Sequence, residues 1–140
     1  FACDLTDKKM SDKNIWVAAA DGDIQRVTEL LISGVSPNSK DTNGYTPLTA
    51  ATSYNHIELI EFLISQGADV NIRDNDGDTP LFVAENIKVA QILLDHDADP
   101  FIRNSEGKTP AQVAYEEGWL DVAELYRSKT GEPIPDSNSS

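Results

Sequence analysis

Chemistry in a chain of 140 residues begins with the side chains that ligate, titrate or attack. This chain has two histidines, His56 and His96, one cysteine, Cys3, and 24 acidic residues. Zinc needs clustered ligands at short spacings, and neither histidine has a cysteine near it in sequence. The run Asp74-Asn-Asp-Gly-Asp78 has the carboxylate density of a calcium loop. That loop carries glycine at its sixth position. With Gly77 placed there, the first ligand position falls on Ile72, so the template fails. No serine sits in Gly-x-Ser-x-Gly, and no Gly-x-x-x-x-Gly-Lys phosphate loop occurs. No catalytic residue, no metal and no cofactor is therefore expected, and the chain reads as a non-enzyme. Asn138-Ser-Ser140 matches a glycosylation triplet, but no secretory leader is visible ahead of it.

The bulk numbers point the same way. A net charge of −13 and a pI near 4.3 repel phosphates and anionic lipid, so neither nucleic acid nor membrane is an expected partner. The same field speeds encounter with a basic protein. A lone cysteine excludes an internal disulfide and suits a reducing compartment, cytoplasm or nucleus. No apolar run is long enough to span a bilayer.

The positioning elements repeat. Gly44-Tyr-Thr-Pro-Leu48, Gly77-Asp-Thr-Pro-Leu81 and Gly107-Lys-Thr-Pro-Ala111 recur at spacings of 33 and 30, the period of a solenoid. In register, residues 1–10 are an N-terminal extension, native or appended by cloning, with Met10-Ser11-Asp12 resembling a translation start. Residues 11–40, 41–73, 74–103 and 104–130 are four repeats, the first and last acting as caps. Residues 131–140 read as a flexible acidic tail. Each repeat should be two short helices. Thr46, Thr79 and Thr109 are expected N-caps, with Ser11 or Asp12 capping repeat one. Pro47, Pro80 and Pro110 follow at the first helical position. Leu48, Ala51, Leu81, Ala84, Ala111 and Ala114 should face inward from the first helices. The second helices carry apolar stripes: Ile24, Val27, Leu30 and Leu31; Ile57, Ile60, Leu63 and Ile64; Ile87, Ala90, Leu93 and Leu94. Gly34 and Gly67 stop two of these helices, with Asp97 in the matching place of repeat three. Asn43-Gly44 and Asp76-Gly77 are turn pairs that should close short β-hairpin fingers.

With Asp-x-x-Gly-x-Thr-Pro-Leu, paired alanines, Leu-Leu and Gly-Ala-Asp-x-Asn all present in repeat two, the chain resembles the ankyrin-repeat family over roughly residues 12–128. The resemblance implies an all-α solenoid of about four helix-turn-helix repeats joined by short β-hairpins. It also implies a monomeric protein-binding module, an adaptor or dedicated chaperone, and here one suited to a basic segment. A structural protein that self-associates through its repeat ends is the alternative. Position by position, the family's concave face maps to Trp16, Asp21, Thr42, Asn43, Tyr45, Ser53, Tyr54, Asn75, Asp76, Asp78, Phe82 and Glu85. Asn38 and Asn71 stand where hairpin asparagines of animal relatives are hydroxylated, or where they simply hydrogen-bond.

Three departures from the family pattern stand out. Repeat three lacks three residues, so its helices must join tightly at Glu85-Asn86. Thr49 replaces a usual histidine and Asn55 a usual glycine. Tyr126-Arg127 breaks the leucine pair of repeat four, where Trp119 and Tyr126 are expected to close the core.

Overall fold

The computed structural model describes residues 13–132. The N-terminal extension, the expected Ser11 or Asp12 cap and the tail from residue 133 lie outside them. The described residues form seven α-helices: α1 (Ile15–Asp21), α2 (Ile24–Ile32), α3 (Pro47–Ser53), α4 (Ile57–Ser65), α5 (Ile87–Asp95), α6 (Pro110–Glu116) and α7 (Leu120–Thr130). A single 3₁₀ turn, Pro80–Phe82, stands between α4 and α5. Successive first helices pack side by side: α1 on α3, and both α3 and α6 on the 3₁₀ turn.

Local chemistry sets the helix starts. Thr46 Oγ1 accepts from Thr49 N at 3.2 Å, and Thr109 forms a reciprocal capping box with Gln112. The expected cap of α1 is corrected: α1 begins at Ile15, and Asn14 Oδ1 accepts from Val17 N at 2.8 Å. Thr79 is corrected too. It has the extended backbone of a cap but makes no cap bond, because only one 3₁₀ turn follows it. With three residues missing there is no room for a second turn before α5. Asn86 takes over as the cap of α5, its Oδ1 accepting from Lys88 N at 2.8 Å.

The six small or leucine positions expected to face inward are all buried, as are Val27, Ile60, Leu63, Ala90 and Leu93. Ile87 is a correction: it stands 44% exposed, since it opens α5 at the rim of the clipped repeat. Gly34 and Gly67 take φ of 111° and 98°, and Asp97 manages 72° in their place. Tyr126 is fully buried, and its hydroxyl donates to Leu81 O at 2.8 Å. Trp119 is half-buried against the same core.

No strand forms among the described residues. Each finger is a turn closed by one rung, such as Asp41 N to Tyr45 O at 3.0 Å and Asp74 N to Asp78 O at 2.9 Å. The fingers then bond to one another. Asn75 N donates to Asn43 O at 3.0 Å, and Ser105 N to Asp76 O at 2.9 Å. A Cβ on Gly44 would lie 2.7 Å from Asn75 N, and Gly44 has φ +81°, so this stacking requires glycine twice over.

Candidate groove on the inner helices

Register explains the site. Residues 16, 49 and 82 occupy one position in three successive repeats, and 17, 50 and 83 the next. The first row reads Trp16, Thr49, Phe82, with a small side chain between two large ones. The second, Val17, Ala50 and Val83, is apolar throughout. A cavity of about 350 Å³ opens there, lined by both rows except Phe82, together with Ala20, Asp41, Tyr45, Ser53 and Tyr54. Its volume is at the small end for ligand clefts.

Four of the residues expected on the concave face meet in this groove: Trp16, Tyr45, Ser53 and Tyr54. Trp16 is half-buried and fixed by its indole N–H, which donates to Ser39 O at 2.9 Å. Tyr54 is 63% exposed at the end of α3 and Tyr45 is 37% exposed. Tyr54 also stacks near His56, with ring centroids 6.5 Å apart. His56 itself bonds through Nε2 to Ala20 O at 2.7 Å, tying α1 to the turn after α3. Phe82 is a correction: at 2% exposure it is core, not contact surface. Phe82 lies in the 3₁₀ turn of the clipped repeat, which packs against both α3 and α6.

The remaining expected residues surround the groove rather than line it. Thr42, Asn43, Asn75 and Asp76 are exposed on the fingers, and Glu85 is exposed beyond α3, accepting from Asn55 Nδ2 at 3.4 Å. Asp21 is paired with Lys13 at 3.1 Å. Asp78 is half-buried and accepts from Asn104 Nδ2 at 2.9 Å. Burial pushes its carboxyl above the ordinary value, and Asp74 and Asp76 add to this while the Asn104 bond opposes it. Burial likewise raises the Tyr45 phenol, reinforced by Asp74, Asp76, Asp41 and Asp78. These carboxylates make the field over Tyr45 negative.

Carboxylate oxygens of Asp74, Asp76 and Asp78 lie within 4.8 Å of one another. The turn accounts for Asp74, whose Oδ1 accepts from Asp76 N at 2.8 Å and Asp78 N at 3.0 Å. Asn104 makes the same two bonds in the next finger without a charge, to Glu106 N and Lys108 N. The bonding needs a side-chain oxygen, not a cation.

Asn38 and Asn71 form a second ladder. Asn38 Nδ2 donates to Gly67 O at 3.1 Å, and its Oδ1 accepts from Asp69 N at 2.7 Å. Asn71 repeats this with Asp97 O and Asp99 N, at 3.2 and 2.7 Å. Both amides are used across repeat boundaries.

Val17, Asp41, Thr49, Ala50 and Val83 line the groove without standing among the residues expected on the face. The shared register of Val17, Thr49, Ala50 and Val83 is the available signal, although small or aliphatic residues on inner helices read as core; Asp41 reads as a turn residue.

A family model described as ankyrin repeats, in three copies, matches residues 15–104. The chain is 48% identical over 77 residues to an ankyrin repeat-containing protein of Schizosaccharomyces pombe, covering 55% of this chain and 37% of that one. It is 36% identical over 53 residues to ankyrin repeat domain-containing protein 39 of Homo sapiens, covering 38% of this chain and 29% of that one. It is 39% identical over 57 residues to fem-1 homolog C of Mus musculus, covering 37% of this chain and 9% of that one. The chain thus spans well under half the length of these curated relatives.

Proposed function

Because the chain belongs to the ankyrin-repeat family, we propose that it is a protein-binding module, an adaptor or dedicated chaperone, whose inner groove holds a basic segment of a partner. Ankyrin repeats generally serve protein–protein interaction rather than catalysis. The observation that carries the finer reading is the groove between α1, α3 and the 3₁₀ turn. It joins large aromatic side chains, the residue types that most often anchor interfaces, to a rim of carboxylates. Among the described residues, no basic side chain lines it.

Replacing Tyr45 and Tyr54 together with alanine tests this. Both are exposed, so the fold should stand. Proteins captured from native lysate by the parent chain should be lost or depleted at least tenfold, the scale of a hot-spot pair. An unchanged capture profile overturns the groove as the binding site. Affinity for the captured partner should also weaken as salt rises.

Apolar side chains exposed in the first and last repeats, Ile32 and Leu120, favour a second reading of self-association through the repeat ends. Sedimentation over a wide concentration range separates the two. A monomer throughout supports the binding module.

A further inference from the structure

The groove is apolar along one strip and acidic at its edge, and that pairing restricts its occupant. Val17, Ala50 and Val83 line it with aliphatic side chains. Trp16, Tyr45 and Tyr54 line it too, and aromatic ring faces attract cations. Asp41 stands among the lining residues, and its Oδ1 already accepts from Asn43 N at 2.8 Å and Tyr45 N at 2.9 Å. A purely apolar occupant would strip the remaining water from this carboxylate and bring no cation in its place, which is costly. A cation on a long aliphatic stem meets both demands, the stem lying on apolar surface and the head remaining among charges. Lys40, beside Asp41 in the chain, is exposed and does not line the groove.

We propose that the groove is a socket for one lysine or arginine side chain of the partner, held by Trp16, Tyr45 and Tyr54 with Asp41 as its counter-ion. This rests on the reading of the groove as a partner site and names the anchor that site selects. The socket exists because Thr49 is small between Trp16 and Phe82, and because the clipped third repeat ends in one turn at Val83. Four carboxylates acting on the Tyr45 hydroxyl add the long-range part of the attraction.

The chain carries its own reporter and control. Of its two tryptophans, Trp16 lines the groove and Trp119 lies in repeat four. Acetylated and amidated peptides Gly-Ala-X-Ala-Gly, with X arginine, lysine or norleucine, are titrated into ¹⁵N-labelled chain. The indole N–H resonances are followed. Arginine and lysine peptides should shift Trp16 saturably at millimolar concentration and leave Trp119 in place; norleucine should not shift Trp16. Asp41→Asn keeps an oxygen for the turn and should weaken the cationic peptides about threefold to tenfold. Tyr54→Ala, at an exposed position, should weaken them similarly. A norleucine peptide that shifts Trp16 as strongly as the cationic ones overturns the socket while leaving the partner groove standing. Cationic peptides that perturb only resonances outside the groove overturn both readings. The absence of any saturable Trp16 shift overturns the socket.

Discussion

At Leu81 a full helix would satisfy the backbone carbonyl from its own next turn, but the 3₁₀ turn ends too soon, and the Tyr126 hydroxyl supplies the donor instead. Tyr126→Phe leaves that carbonyl buried and unpaired, and should cost about 1–3 kcal/mol in urea unfolding. Burial pushes the Tyr126 phenol far above its usual range, so it should ionise only as the chain unfolds in alkali, visible as a delayed rise in tyrosinate absorbance. Thr79 presents the opposite case. Its hydroxyl is buried with no partner among the described residues, left over from a cap without a helix, and Thr79→Val should be neutral or stabilise by up to about 1 kcal/mol. Asp78 gives a pH signature. Its carboxyl holds its proton more tightly in the folded chain, so stability falls as pH rises from the unfolded value through the folded one. Asp78→Asn should flatten that fall and raise the unfolding midpoint at neutral pH. Asp23 acts in the other direction. The Arg26 backbone bond holds its carboxyl low, and its contribution is lost on acidification.

Helices were legible wherever sequence chemistry is local. Thr46-Pro47 and Thr109-Pro110 announce α3 and α6, and Gly34 and Gly67 announce the ends of α2 and α4. Asn14 was missed as a cap because the repeat's Thr-Pro signal is absent there and Asn14 lies inside the segment read as helix. The fate of repeat three was half legible. A three-residue deficit was countable, but whether it would shorten a loop or dissolve a helix depends on packing against α3 and α6. The groove was legible in its aromatic members and hidden in its aliphatic ones, since a groove is defined by what is small, and Thr49 carries no signal of its own. The asparagine ladder makes a separate prediction. Asn71→Ala removes a donor and an acceptor that bridge repeats two and three, and should destabilise by about 1–3 kcal/mol in urea unfolding. Asn71→Asp keeps the acceptor alone and should fall between alanine and the parent.

Across the whole chain, 24 acidic residues face 11 basic ones, so the compact state carries strong self-repulsion. Salt should therefore raise the melting temperature while weakening any basic partner, two opposite trends from one cause. Most packing here joins neighbouring repeats, so contacts are short in sequence and folding should be quick. The Tyr126–Leu81 bond also joins neighbours, repeats three and four, but it reaches farther along the chain, closing a loop of 45 residues. It has to form after repeats three and four have docked, and so belongs to the native state more than to the barrier that precedes it. Its energetic weight then falls on the rate of leaving the native state rather than of reaching it. Stopped-flow traces of the phenylalanine variant should show faster unfolding beside an almost unaltered refolding limb. The tyrosine that completes a truncated helix would thus act in time as a clasp, setting how long the stack stays closed.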